Sequence, residues 1–187
     1  MDIYLIRHTT PAIELVYCYG QSDLDVAKTF PVEAKRVKAQ LPDFKKVKVY
    51  SSPLIRCKKL AGYLDLGEIT FDDRLKEIHF GHWEMMPWKK IDKDSLDTWK
   101  KDFVNLKAPG GESFQDMHDR VMDFFNEMLL KEKNDLLVVC HGGVIRAILS
   151  NILQIPLMNM FRLNIDFGAV SKVIVNNDEI KVDFVNR

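Results

Sequence analysis

Two short apolar runs that each end in a histidine constrain this chain more than any other feature. Ile3-Tyr4-Leu5-Ile6 leads into Arg7-His8-Thr9, and Leu136-Leu137-Val138-Val139 leads into Cys140-His141-Gly142-Gly143. Runs this short and this apolar read as buried strands. Between and around them the pattern switches to helical spacing. Strands alternating with helices predict an α/β fold of three layers, α/β/α, with a mostly parallel central sheet and helices on both faces. Open sheets of this kind bind ligands beyond the carboxyl ends of their strands. Both histidines fall at that edge.

The remaining elements follow from local signals. Residues 2–7 are the first strand, and residues 8–25, with Pro11 and Gly20, form a loop over its end. Val32 to Leu41 has helical spacing at Val32, Val37 and Leu41, with Pro31 suited to a first turn. Val47-Lys48-Val49-Tyr50 is a second strand. Ser52-Pro53 then suits a helix start, serine as N-cap and proline at the first helical position, with Leu54, Cys57, Ala61 and Leu64 on one face. Glu68 to Phe71 is a weak third strand. Residues 72–110 hold Trp83, Trp88 and Trp99 and read as an irregular or helical cover over the sheet. Ser113-Phe114-Gln115-Asp116 resembles a capping box, opening a helix with the stripe Phe114, Met117, Val121, Phe124 and Met128. A strand over 136–140, a helix from Val144 to Leu153, and two strands over 169–176 and 180–185 complete the chain. The last two are read as a hairpin around Asn176-Asn177-Asp178-Glu179. At 187 residues, with no linker or repeat, the whole chain 1–187 is expected to be one domain.

The chemistry sits at the strand ends. A neutral imidazole at His8 can attack phosphorus and form a phosphoramidate that water hydrolyses readily, splitting one hard displacement into two. Adjacent Arg7 disfavours the imidazolium by like-charge repulsion. An isolated histidine more often merely ends a strand. His141, followed by glycines and a helix, aims ring and backbone donors at one spot, and the helix N-terminus adds positive potential for an anion; the plain alternative is a tight glycine turn. Arg56 falls early in the helix after the second strand, and its planar fork suits phosphate, although most helix arginines are solvated. Glu77, in Leu75-Lys76-Glu77-Ile78, is a candidate proton donor for a leaving alcohol. Glu84 competes for that role. His79 and His82, with Glu77 and Glu84, lack a third and fourth partner at zinc spacing, so neither metal nor cofactor is expected. Gly110-Gly111-Glu112 lacks the lysine of a P-loop and reads as the approach to a helix. Tyr4, Tyr17, Tyr19 and the tryptophans are able to stack on a flat base, and serve a core equally well.

Partners are bounded by charge. The 27 basic and 27 acidic side chains balance, which argues against a nucleic-acid-coating surface. No apolar stretch is long enough to span a bilayer, and the N-terminus shows no signal-peptide pattern. Cys18, Cys57 and Cys140, odd in number and widely spaced, suit reduced thiols in a cytoplasm. The expected partner is a small-molecule phosphate monoester bound by a monomer or homodimer.

Taken in order, Arg7-His8 after strand one, Ser51-Ser52-Pro53-Leu54-Ile55-Arg56 after strand two, Glu77 before Phe80-Gly81-His82-Trp83-Glu84, and His141-Gly142 after a late strand resemble the histidine phosphatase superfamily, also called phosphoglycerate-mutase-like. The resemblance covers about residues 2–175. Within it, His8-Thr9-Thr10-Pro11, Cys18-Tyr19-Gly20-Gln21-Ser22-Asp23 and Pro109-Gly110-Gly111-Glu112-Ser113-Phe114 look most like the α-ribazole phosphatases, which act late in assembling the lower ligand of cobalamin. The resemblance implies a phosphoglycerate-mutase-like fold and metal-independent hydrolysis of a monoester. It implies His8 as the phosphorylated nucleophile, with Arg7, Arg56 and His141 clamping phosphoryl oxygens. Glu77 would be the acid and then the base, and the Gly142 backbone would assist in phosphate binding. The chain departs from the family at Thr9, where glycine is usual, and at Trp83-Glu84-Met85, where Trp-Glu-Gly is common. A broad phosphatase of sugar phosphates or nucleotides, a phosphoglycerate mutase, and a phosphate-binding module without turnover are the alternatives.

Overall fold

A computed structural model describes residues 1–176 and 179–187. Six strands form one sheet: β1 (Asp2–Arg7), β2 (Val47–Ser51), β3 (Ile69–Phe71), β4 (Asp135–Cys140), β5 (Val170–Asn176) and β6 (Glu179–Phe184). Their order is β3-β2-β4-β1-β5-β6. The first four in that order run parallel, while β5 pairs antiparallel with β1 and with β6. The sheet is therefore mixed, with an antiparallel edge. Asn176 pairs with Glu179 across the last two strands. The Asn177-Asp178 half of the expected hairpin turn lies outside the described residues.

Strand alternation sends side chains to two cores. Ile3 and Leu5 of β1 join Leu136 and Val138 of β4 on one face, under α4 (Phe114–Lys131) and α5 (Gly142–Ile152). Tyr4 and Ile6 join Leu137 and Val139 on the other, under α1 (Phe30–Ala39) and α2 (Ile55–Leu64). The three layers follow directly. The stripe Phe114, Met117, Val121, Phe124 and Met128 is buried throughout. The capping box of α4 forms as read, with Ser113 accepting from Asp116 N while the Asp116 carboxylate accepts from Ser113 N at 2.9 Å. Among the described residues no helix is long and apolar enough to cross a membrane.

Three helix starts differ from expectation. Helix α1 begins at Phe30, and its buried side chains are Ala34 and Val37; Val32 is 66% exposed. Helix α2 begins at Ile55, not at Pro53, and Ser52 is not its cap. The first free N–H of α2, on Ile55, instead donates to the Asp23 carboxylate at 2.6 Å. The Ser52 hydroxyl is engaged elsewhere, 2.8 Å from His141 Nε2. Helix α5 starts two residues earlier than the spacing suggests, with Gly142 and Gly143 as its first helical residues and His141 as N-cap.

The cover over 72–110 consists of 3-10 turns at Asp73–Leu75, Gly81–Trp83 and Trp88–Lys90, followed by α3 (Lys93–Lys101). Met85 holds a left-handed backbone, φ 64°. Glycine accepts that conformation and a side chain disfavours it, and Met85 follows Trp83-Glu84, where Trp-Glu-Gly is common in the resembling family.

Candidate active site

The parallel register of β1 and β4 sets Arg7 opposite Cys140, and His8 N donates to Cys140 O at 3.0 Å. His8 and His141 therefore leave the sheet side by side, their ring centroids 5.1 Å apart. His8 Nδ1 lies 2.7 Å from Thr9 O. A carbonyl only accepts, so this nitrogen carries the proton and Nε2 keeps its lone pair. Arg56 Nε donates toward that Nε2 at 3.3 Å.

Burial is the main reason the His8 imidazole resists protonation, holding it well below the usual histidine value; Arg56 adds to this, and Arg7 after it. Arg7, the neighbour visible in sequence, is thus the smallest of the three causes, after the enclosed site and the arginine from α2. His141 is held down in the same way, by burial, then Arg56, His8 and Arg7. The consequence for stability has a definite sign. The native histidines stay neutral while the unfolded chain takes up protons below about pH 6.5, so stability is lost as pH falls through that value. Between pH 6.5 and 5.5 each depressed histidine is expected to remove about 1 kcal/mol. Chemical denaturation at the two pH values measures this, and a variant with both histidines changed to glutamine should lose most of that difference.

Arg56 has no exposed surface. It donates to Ser22 O at 2.9 Å and to Gly20 O at 2.6 Å, so it holds the loop after β1 from beneath. Arg7 donates to Ile165 O at 2.6 Å, lies 3.7 Å over the Phe167 ring, and keeps Nε buried without a partner. Neither arginine forms a salt bridge with a carboxylate among the described residues, nor does Arg146. Buried cations without acids are expensive unless an anion meets them.

Glu77 is the one acid among the described residues on the cavity wall. Its Oε2 accepts from Gly143 N and its Oε1 from Ile78 N, each at 3.0 Å. A Cβ on Gly143 would stand 2.2 Å from Glu77 Oε1, so only glycine admits the carboxylate this close. Arg120 fixes the segment from behind, donating to the carbonyls of Arg74, Lys76 and Glu77 while its fork grips Glu112. Glu84 has a different task. It accepts from the backbone N–H groups of Gln21, Ser22 and Phe80 and from the Ser22 hydroxyl. Burial opposes its ionisation, but those bonds outweigh burial and keep its pKa low. A carboxylate held ionised by four donors is a brace for the Gly20–Ser22 loop, not a proton donor.

Arg7, His8, Tyr19, Glu77, Gly143 and Arg146 line a cavity of about 140 Å³. Arg56 and His141 are wholly buried and stand behind His8. Gly143, not Gly142, reaches the cavity wall. Arg146 escaped the sequence reading, although its spacing one helical turn after Gly142 is the signal that would have found it. A roomier hollow of about 640 Å³ lies at the opposite end of the sheet, by Asp2, Tyr4 and Asp135, and has no histidine. Tyr4 is thus remote from the site. Among the described residues no three or more His, Cys, Asp or Glu side chains stand together as metal ligands.

A mixed α/β sheet with two neutral histidines and unpaired arginines at its carboxyl edge defines a phosphoryl-handling protein. Residues 3–187 match the histidine phosphatase superfamily (branch 1). The chain belongs to that superfamily, and phosphatase activity is the chemistry that goes with it. Among its relatives is a protein of Hydrogenobacter thermophilus named "Putative phosphoserine phosphatase 2", 26% identical, the match covering 99% of this chain and 95% of that one. Another, from Salmonella paratyphi C, is named "Probable phosphoglycerate mutase GpmB", 28% identical over 92% of this chain and 84% of that one. In structure the chain is similar to the α-ribazole phosphatase from Shigella flexneri, with TM-score 0.91, 22% identity, and coverage of 100% of this chain and 96% of that one.

Proposed function

We propose that this protein hydrolyses phosphate monoesters through a phosphohistidine on His8, without a metal, and that its substrate is α-ribazole 5′-phosphate, the step that would place it in cobalamin biosynthesis. The observation that carries the reaction is the presentation of His8. Its Nδ1 is tied to Thr9 O, its Nε2 keeps a lone pair met only by a long 3.3 Å contact from Arg56 Nε, and the arginines beside it form no salt bridge among the described residues. In the first step Nε2 attacks phosphorus, the ester P–O bond breaks, and Glu77 gives its proton to the departing alcohol oxygen. In the second, Glu77 takes a proton from water, the water oxygen bonds to phosphorus, the P–N bond breaks, and phosphate leaves with His8 again neutral. Arg7, Arg56 and His141 stabilise the phosphoryl oxygens in both steps, and the N-terminus of α5, which begins at Gly142, adds positive potential. Positive charge from arginines supplies what a metal supplies elsewhere. The choice of α-ribazole phosphate rests on the sequence resemblance and the fold likeness to an α-ribazole phosphatase. Three buried free thiols fit a reducing cytoplasm.

A panel of α-ribazole 5′-phosphate, phosphoserine, 3-phosphoglycerate and glycerol phosphate, assayed with chelator present, tests this reading. The expected result is release of inorganic phosphate throughout, with kcat/KM for α-ribazole phosphate at least about tenfold above the others. A flat profile overturns the narrow substrate. Conversion of 3- to 2-phosphoglycerate without phosphate release replaces hydrolysis with mutase chemistry.

A further inference from the structure

The catalytic cavity opens beside a second one. At about 140 Å³ the first admits a phosphoryl group and little more, whereas sites for whole small molecules run to roughly 300–1,000 Å³. The neighbouring cleft measures about 490 Å³ and shares Phe80, Phe114 and Phe161 with the catalytic cavity. Its other aromatic walls are Trp88, Trp99 and Phe103. The six rings brace one another, mostly edge to face: Phe80 with Trp88 at 5.7 Å, Phe103 with Phe161 at 5.3 Å, and Phe114 with Phe161 at 5.4 Å between centroids. We propose that this cleft seats the alcohol half of the substrate, so that the substrate is a phosphomonoester whose alcohol carries a flat aromatic ring system.

One feature distinguishes the cleft from a gap in the core. Phe161, on the shared wall, is 54% exposed although core rings stand beside it, and large apolar side chains gathered at an open cleft mark binding surfaces. Rings locked edge to face also keep their positions before a ligand arrives, which favours stacking of a flat guest. The proposal rests on the phosphatase reading, but not on the choice of α-ribazole phosphate.

The test pairs ethyl phosphate with 2-(2-naphthyl)ethyl phosphate, whose alcohols leave about equally well, and the matching non-hydrolysable phosphonates. Calorimetry on the full chain is expected to give about 30-fold tighter binding of the naphthyl phosphonate, with a similar ratio in kcat/KM for the phosphates. Phe161→Ala, half exposed and so compatible with folding, is expected to lower both ratios about fivefold. Equal binding of the two phosphonates overturns the cleft while leaving the phosphatase reading intact. Absence of phosphate release from every substrate, with no phosphohistidine, overturns the phosphatase reading and this inference with it.

Discussion

Replacing His8 with alanine is expected to remove turnover, by on the order of 10⁴-fold or more, and to leave no acid-labile phosphate on the quenched protein. The size of the effect follows from what the imidazole provides. Its Nδ1 proton is spent on Thr9 O, which fixes the tautomer and directs the Nε2 lone pair toward the site. Burial, Arg56 and Arg7 keep the ring unprotonated at neutral pH. No neighbour can substitute. His141 Nε2 is engaged with the Ser52 hydroxyl at 2.8 Å, and the Cys57 thiol is pushed up to about 12 by burial. The variant also leaves Arg56 Nε without its acceptor, so folding must be checked separately. Vanadate binding does this, because the arginines and His141 remain. The expected outcome is a protein that binds vanadate and turns nothing over. Hydrolysis within tenfold of the wild-type rate removes His8 from the covalent role.

The sequence makes some of this site visible and hides the rest for physical reasons. His8 and His141 are found because each ends a run of buried strand, and because parallel register then makes the residue after Arg7 a neighbour of the residue after Cys140. The face alternation of Ile3, Tyr4, Leu5 and Ile6 is legible in the same way. Capping is not. A serine before a proline has the chemistry of an N-cap, but Ser52 is drawn to His141 and Asp23 reaches in from 32 residues earlier to serve α2. Glu77 and Glu84 look alike in sequence. Only the folded Gly20–Ser22 loop, with its N–H groups turned toward Glu84, separates the brace from the candidate acid. The half-buried clamp of Arg120 and Glu112 behind Glu77 is equally hidden, because its other partners are backbone carbonyls with no sequence signature. Arg146 was readable from its spacing after Gly142.

Glu77→Gln is expected to lower kcat/KM, which reports transfer to His8, on the order of 10³-fold for alkyl phosphates and by less than about tenfold for p-nitrophenyl phosphate. An alkoxide is a poor leaving group and needs the proton at the moment the ester bond breaks, whereas p-nitrophenolate leaves without it. The comparison between substrates matters because the variant is not structurally silent. Both oxygens of Glu77 accept a backbone N–H, from Gly143 and from Ile78. An amide can accept only through its oxygen, so one of those donors meets another donor in the variant, at a penalty of roughly 1–3 kcal/mol. That disturbance reaches α5 through Gly143 and weakens the site for every substrate alike. It therefore lowers both rates by a common factor, and the ratio of the two isolates the proton. Because Glu77 also activates water in the second step, p-nitrophenyl phosphate should become limited by hydrolysis of the phosphohistidine. A burst of p-nitrophenol, one per protein, is then expected before the slow phase. Equal slowing of both substrates, with no burst, would assign Glu77 to holding α5 in place and leave the proton to come from elsewhere.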